Sequence, residues 1–134
     1  MPKRKPPSRR RTKSLASSGG FETFAIDQLS RRGEVLPRKM FGGVGLYCDG
    51  LFFALIARDE LYLKVDDQTR PGYEAEGMGP ARIGTEPEQM VLSYYEVPPG
   101  ALEAPDELRQ WVRDAIAVAE RAATRRRPRR GKRR

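Results

Sequence analysis

The chain has 134 residues and a formal net charge of +8, which fits one modest domain but conceals an uneven distribution of charge. Residues 1–13 carry seven Lys/Arg and residues 124–134 carry eight, with no acid in either segment. The other eleven basic residues accompany all eighteen acidic ones, which gives the central segment 14–123 a net charge of −7.

Composition excludes several classes of protein. A single cysteine rules out an intrachain disulfide, and the absence of histidine rules out the usual Cys/His metal sites. No apolar run approaches the roughly 20 residues that cross a bilayer. We therefore expect a cytoplasmic protein. The Arg-rich N-terminal segment is also typical of a transit peptide. Because the C-terminal end carries a similar basic run, a single explanation that covers both segments is simpler.

The first twenty residues combine prolines, a cationic run and Ser17-Ser18-Gly19-Gly20, so we expect residues 1–20 to be a disordered basic tail. From residue 21 the apolar residues recur at intervals of three and four, which predicts a helix over 21–32. That pattern places four side chains on one helical face: Phe21, Phe24, Ala25 and Leu29. Pro37 excludes helical continuation and favours an extended chain.

Residues 38–65 predict a β-meander, because short apolar runs alternate there with turn signals. Asp49-Gly50 is the stronger turn signal, since a type I′ turn needs positive φ at both central residues. Residues 58–60 form a second predicted turn. In the last strand, alternation predicts that Leu61, Leu63 and Val65 face the core while Tyr62 and Lys64 face outward.

Beyond the meander, we expect a short helix within 67–75 and an inner strand over 89–97. Pro105 opens the clearest helix, with an apolar stripe of Leu108, Trp111, Val112, Ala115, Ile116 and Ala119. This helix must end before Pro128. The predicted fold is α+β: an antiparallel sheet, made of the meander and a later strand, packed with N-terminal and C-terminal helices. The predicted domain spans 21–123, and residues 124–134 form a second disordered basic tail.

Few of the residue types that commonly act in catalysis are present in suitable positions. We therefore expect that the protein is not an enzyme and binds no cofactor and no metal. Histidine is absent, Cys48 has no histidine to activate it, and the paired acids Asp59-Glu60 and Asp66-Asp67 fall in predicted turns. The glycine-rich stretch 42–45 leads into a strand, whereas phosphate-binding loops open a helix. A bulge, or a close backbone approach by a neighbouring element, is the favoured explanation of these glycines.

The two basic segments predict nucleic-acid binding without base readout, because flexible cations neutralise phosphates and release counterions. Neither segment contains an aromatic residue for base stacking. The alternative is that they only aid solubility. The predicted nucleic-acid-binding residues are Lys3, Arg4, Lys5, Arg9, Arg10, Arg11, Lys13, Arg125, Arg126, Arg127, Arg129, Arg130, Lys132, Arg133 and Arg134.

A series of motifs over residues 21–123 resembles the N-terminal domain of the TfoX/Sxy proteins. The motifs are Pro37-Arg38-Lys39-Met40-Phe41-Gly42-Gly43, Gly45-Leu46-Tyr47, the hairpin 49–56, Leu61-Tyr62-Leu63-Lys64-Val65-Asp66 and Ser93-Tyr94-Tyr95-Glu96-Val97-Pro98. The resemblance implies an α+β domain without known catalysis. It also implies a regulator of natural competence that acts with a cAMP-receptor-type transcription factor.

The sequence departs from that family in two places. Full-length members carry a second, helical domain, whereas this chain ends in Arg and Lys soon after the last predicted helix. An aromatic residue usually follows the turn that is Gly77-Met78-Gly79-Pro80 here, and Ala81-Arg82 stand in its place.

The family motif also predicts a partner surface, made of Arg38, Lys39, Met40, Phe41, Gly42 and Gly43. The charges of Arg38 and Lys39 would face the partner, or would simply be solvated where a strand begins. Packing is the favoured role of Met40, Phe41, Tyr94 and Tyr95.

The leading hypothesis is a nucleic-acid-associated regulatory or adaptor protein with no membrane contact. Its tails would hold nucleic acid while its domain binds another protein. The alternatives are a small-molecule-binding or enzymatic domain, and a structural homodimer formed through strand edges.

Overall fold

The computed structural model describes residues 19–30, 34–40, 42–83 and 89–126. Three α-helices are present in this part of the chain: α1 (Gly19–Ser30), α2 (Arg70–Ala75) and α3 (Pro105–Arg126). A 3₁₀ turn spans Ala101–Glu103. The strands are β1 (Leu36–Met40), β2 (Gly43–Cys48), β3 (Leu51–Ala57), β4 (Glu60–Lys64), β5 (Pro80–Ile83) and β6 (Met90–Glu96).

The strands form one six-stranded sheet in the order β1-β2-β3-β4-β6-β5, and every neighbouring pair is antiparallel. The α+β prediction is confirmed: β1 to β4 form the meander, and β6 joins it beside β4. The prediction that β6 is an inner strand is also confirmed, because β5 covers its other side. The sequence did not predict β5, a four-residue strand that begins at a proline.

Two tight turns set the register of the meander. Asp49 and Gly50 have φ of 53° and 80°, as a type I′ turn requires, and they join the paired residues Cys48 and Leu51. Arg58 and Asp59, with φ of 50° and 62°, form the second predicted turn. Both turns thus occur where the sequence predicted them.

One face of the sheet is covered by helices. The apolar stripe of α3 is buried there at Leu108, Val112, Ala115 and Ala119, as predicted. Ala25 and Leu29 of α1 join the same core, and Gln28 Nε2 donates a hydrogen bond to the Leu102 carbonyl at 2.7 Å. Phe24 was expected on this buried face but is 39% exposed, because α1 buries a narrower stripe than its sequence indicated.

The helix bounds differ slightly from those predicted. α1 begins at Gly19, inside the segment expected to be disordered, and its predicted last residues, 31 and 32, lie outside the described residues. α3 continues through Arg126, so the boundary expected at residue 123 lies within a helix.

The sequence prediction was wrong for Tyr62. Alternation along β4 predicted an outward-facing side chain, yet Tyr62 is buried. It belongs to a second apolar cluster on the face of the sheet opposite to the helices, and this cluster also includes Leu55, Ala57, Ala81 and Tyr94. The sheet is therefore apolar on both sides.

Asp66 links the end of β4 to α3. Its Oδ1 accepts hydrogen bonds from the backbone N–H groups of Gln68 and Thr69 at 3.0 and 3.3 Å. Its Oδ2 accepts from Arg121 Nε at 2.9 Å and lies 2.8 Å from a terminal guanidinium nitrogen of Arg121. Burial raises the pKa of the Asp66 carboxyl, but the hydrogen bonds from Arg121, Gln68 and Thr69 outweigh it, so the pKa lies below its usual value.

Tyr73 fills the core between α2, β6 and α3. Its ring lies 4.5 Å from that of Trp111 and 6.0 Å from that of Tyr95, measured between centroids. The side chain is 1% exposed, and its hydroxyl makes no hydrogen bond to any of the described residues. Burial, followed by the charge of Asp114, raises the pKa of this phenol, so the hydroxyl stays protonated. A buried hydroxyl without a partner lowers stability by about 1–3 kcal/mol.

We predict that Tyr73→Phe leaves the free energy of unfolding unchanged or raises it by about 1 kcal/mol, because it removes a hydroxyl that makes no bond. Tyr95→Phe is the control: it removes the hydroxyl that donates to Glu74 Oε2 at 3.1 Å and should lose about 0.5–1 kcal/mol. Denaturant unfolding of both variants measures the difference. A larger decrease in the free energy of unfolding for Tyr73→Phe than for Tyr95→Phe would contradict this prediction.

We also predict that Asp66→Asn lowers the free energy of unfolding by about 1 kcal/mol at neutral pH, because it removes the charge that Arg121 contacts. Since the folded-state pKa lies below the unfolded one, the carboxylate contributes fully above the unfolded pKa of about 3.9. That contribution is lost as the pH falls through the folded-state pKa. As the pH is lowered from 7 to 2, the free energy of unfolding should therefore fall less steeply in the variant than in the wild type.

The control is Asp106→Asn, which breaks the pair with Arg109 at 3.1 Å on the helix surface, where the Asp106 side chain is 95% exposed. This variant should change stability little at any pH. Equal effects of the two substitutions would show that the Asp66 contact does not stabilise the fold.

Candidate functional site

The second face of the sheet is the candidate site. We call it the open face, because its apolar cluster contains strand residues only and no residue of a described helix. The buried members of this cluster come from β3, β4, β5 and β6, and half-buried Met40, Phe52, Ile83 and Leu92 pack against them. The rings and aliphatic chains of the strands themselves therefore cover this face.

Strand register determines which side chains share the open face, since directly opposed residues of antiparallel strands project to the same side. Tyr47 pairs with Phe52, and Leu55 pairs with Tyr62. Arg38 pairs with Gly45, which itself pairs with Leu55. Lys64 pairs with Tyr94. The register therefore places cations from β1 and β4 on the same face as aromatic rings from β2, β3 and β6.

Five of these side chains form a continuous row, which we call the cation–aromatic row: Arg38, Tyr47, Phe52, Tyr94 and Lys64. The Tyr47 and Phe52 rings stack with centroids 5.1 Å apart, and the Phe52 and Tyr94 centroids are 5.0 Å apart. The Arg38 guanidinium carbon lies 5.7 Å from the Tyr47 centroid, and Lys64 Nζ lies 4.9 Å from the Tyr94 centroid. Contacts of these two kinds each stabilise a structure by about 0.5–1.5 kcal/mol.

Gly45 makes room for this row. A Cβ at this position would lie 2.6 Å from Met40 Cε and 2.9 Å from Phe52 Cε1. A close backbone approach was one of the two predicted explanations of these glycines, but at Gly45 the approaching atoms belong to side chains. A register irregularity follows at Leu46 and Tyr47, and beyond it Tyr47 pairs with Phe52. Gly42 has a φ of 87° and lies in the turn between β1 and β2.

The open face also carries carboxylates. Tyr62 donates a hydrogen bond from its hydroxyl to Glu60 Oε1 at 2.6 Å, and Glu96 is its register partner on β6. Burial is the largest cause of a raised pKa for the Tyr62 phenol, and the charge of Glu60 is the next. The phenol is therefore a hydrogen-bond donor at any physiological pH. Register places Glu96 level with Arg38, through Gly45, Leu55 and Tyr62, so cations and carboxylates share the open face.

The residues of the predicted partner surface occupy different places. Arg38 and Lys39 are both exposed on β1, but Lys39 pairs with Val44, whose side chain lies in the core on the helix side. Of this pair, Arg38 alone joins the open face, where half-buried Met40 also packs. Gly43 is buried at the start of β2. Phe41 lies outside the described residues.

Few of the predicted nucleic-acid-binding residues can be placed. Arg125 is exposed near the end of α3, and Arg126 is the last residue of that helix. The basic residues of segment 1–13, and Arg127, Arg129, Arg130, Lys132, Arg133 and Arg134, lie outside the described residues.

Four members of the cation–aromatic row were not predicted to act together from the sequence: Tyr47, Phe52, Lys64 and Tyr94. The signal was present in part, because a two-residue hairpin at 49–50 predicts Cys48 opposite Leu51 and then Tyr47 opposite Phe52. The contact of Tyr94 with Phe52 was not predictable, since it depends on how β6 joins the sheet.

Within the ranges that the structure describes, no group of three His, Cys, Asp or Glu residues could hold a metal ion. In the same ranges, no helix is both long enough and apolar enough to cross a bilayer. Cys48, the single cysteine of the chain, is half-buried at the end of β2 and packs against the helix-side core.

Comparison with known protein families matches residues 27–119 of this 134-residue chain to the TfoX N-terminal domain. The match covers the whole sheet, the last four residues of α1, and α3 as far as residue 119. No curated protein matches the chain.

We predict that Gly45→Val destabilises the fold by about 1–3 kcal/mol and disturbs the aromatic row, because the added side chain overlaps Met40 and Phe52. Near-ultraviolet circular dichroism reports the ring packing, and denaturant unfolding reports the loss of stability. Gly79→Val is the matched control, since no atom lies within 4 Å of a Cβ there and its φ is not positive. The row would not depend on Gly45 if both variants kept the wild-type aromatic spectrum.

Proposed function

Because this chain belongs to the TfoX N-terminal domain family, we propose that it is a non-enzymatic regulatory or adaptor protein that associates with nucleic acid. Its basic segments hold nucleic acid without sequence specificity, and its folded domain binds another protein. The separation of charge is the observation that carries this proposal: fifteen of the 26 Lys/Arg lie in residues 1–13 and 124–134, whereas residues 14–123 have a net charge of −7.

The basic segments and the acidic domain differ in charge, so we expect them to bind different partners. A protein gains sequence-independent affinity for nucleic acid when its cations displace condensed counterions from phosphates. An acidic domain is repelled by the same phosphates, so it contributes little to that affinity. α3 supports the division of roles, because the helix runs from the core directly into the second basic segment at Arg125.

The protein partner that the family resemblance suggests is a transcription factor of the cAMP-receptor type. In that role the chain would be a transcriptional co-regulator in the cytoplasm, at the nucleoid, and competence is the process that the resemblance implies. The observation that supports a protein contact in this chain is the open face, where apolar and aromatic side chains lie without a described helix above them.

The tails provide the test of nucleic-acid binding. We predict that replacing the fifteen Lys/Arg of the two segments with Gln abolishes most binding to duplex DNA. Substitution is preferable to deletion, because residues 124–126 belong to α3. A protein with about 6–10 phosphate contacts loses about 10³- to 10⁵-fold in affinity between about 50 and 200 mM salt, so the wild-type chain should show a steep salt dependence.

A variant that exchanges the same positions between Arg and Lys keeps the charge and is the control. Its affinity and salt slope should stay close to those of the wild type, since counterion release depends on charge. Equal, salt-steep binding by the Gln variant and the wild type would show that the domain itself binds DNA, and the proposal would fail.

A further inference from the structure

β1 and β5 are the outermost strands of the sheet in the described part of the chain. The outer side of such a strand presents backbone N–H and C=O groups, to which another extended chain can add by strand pairing. Residues Leu36 to Lys39 of β1 are all exposed, so the outer side of this strand is accessible to a second protein. We call it the β1 edge.

The register shows which residues of β1 direct their backbone groups to this edge. Cys48 and Leu51 flank a two-residue turn, so their backbone groups face each other, and two residues back those of Leu46 also face β3. Leu46 pairs with Pro37 of β1, and the backbone groups of Pro37 therefore face away from β2. Those of Lys39, two residues further on, face the β1 edge as well.

These two residues make the β1 edge a poor template for an added strand. Pro37 has no N–H to donate, and its ring occupies space in which an added strand would lie. Lys39 brings a charge to the other outward position. Proline and lysine are residues with which natural sheets block pairing at their edges.

The place of Pro37 within the strand favours this role. The sequence predicted that Pro37 stops the preceding helix, but a proline before the strand would do that equally well. At Arg38, one residue later, a proline would remove a hydrogen bond between β1 and β2. At position 37 it removes none, so β1 keeps its pairing with β2 while its outer side lacks a donor.

The opposite edge of the sheet has the same feature. Glu96 of β6 donates its backbone N–H to the Gly79 carbonyl at 3.0 Å, so the next residue, Pro80, faces outward at the start of β5. Further along β5, the carbonyl of Arg82 accepts hydrogen bonds from the Arg58 guanidinium at 3.5 Å. A proline thus occupies an outward position on each of the two edge strands.

We infer that Pro37, assisted by Lys39, prevents strand pairing at the β1 edge, both with a second copy of this chain and with an extended segment of another protein. A protein that binds the domain on this side contacts its side chains instead. The inference goes beyond the proposed function, because the edge stays closed whichever protein the domain binds. It argues against one alternative from the sequence, a homodimer formed through the edge of β1.

Sedimentation velocity of the full-length chain tests this inference, with Pro37→Thr and Lys39→Thr combined in one variant. Threonine favours strands and restores the backbone N–H at position 37. We expect this variant to self-associate at least about tenfold more tightly than the wild type, because two copies can then pair their β1 edges. Hydrogen exchange locates the contact: the amides at positions 37 and 39 should exchange more slowly as the protein concentration rises.

Pro71→Thr with Arg113→Thr is the matched control. It removes one proline and one cation that are exposed on α2 and α3, away from the sheet edges, and it changes the net charge equally. This control should associate no more tightly than the wild type.

Pro37→Thr with Lys39→Pro separates edge pairing from aggregation of a destabilised fold. It moves the proline to the other outward position, so the β1 edge again lacks a donor and self-association should return to the wild-type level. Aggregation caused by damage to the fold would not be reversed by a second change in the same strand.

Three results would overturn the inference. The first is self-association of the Pro37→Thr, Lys39→Thr variant that is no tighter than that of the control. The second is association that persists when the proline is moved to position 39, or that leaves exchange at positions 37 and 39 unchanged. The third is a wild-type chain whose amide at position 39 becomes protected as its concentration rises. Nucleic-acid binding is tested separately by the Gln variant of the basic segments.

Discussion

The fold depends on apolar burial on both faces of a sheet that the described helices cover on one side. β3 shows this constraint most directly: Ala54 and Ile56 belong to the helix-side core, while Leu55 and Ala57 belong to the open-face cluster. Among the described residues no helix contributes to the open-face cluster, and side chains of the strands themselves cover this face. The rings of Tyr47, Phe52 and Tyr94 do so by lying against one another, and the missing side chain at Gly45 leaves them the space.

Covering a sheet in this way has consequences for function. Aromatic rings that bury the strands also present their faces to cations, and Arg38 and Lys64 occupy that position. The result is an aromatic surface on which cations and carboxylates lie side by side. The basic terminal segments differ from it in composition, because they carry fifteen Lys/Arg and neither acids nor aromatic residues. We propose that the terminal segments bind nucleic acid and that the folded domain binds protein.

The sequence predicted the elements whose signals are local. The 3.6-residue stripe predicted α3, and Asp49-Gly50 predicted the first hairpin, because each depends on residues that are neighbours in the chain. The sequence did not predict the features that depend on contacts between residues distant in the chain. Tyr62 is buried because the open face has its own apolar cluster, β5 forms because β6 offers it an edge, and Asp66 meets Arg121 across 55 residues. The cation–aromatic row belongs to this second class, because it joins β1, β2, β3, β4 and β6.

We propose that the chain binds nucleic acid and a protein through separate parts, and affinity capture with and without nuclease tests this proposal most directly. Full-length protein is isolated from cells before and after its nucleic acid is digested. We predict that at least one protein partner remains bound after digestion, while other associated proteins are released with the nucleic acid. Release of every associated protein by nuclease would contradict it, because the chain would then be held in its complexes by nucleic acid alone.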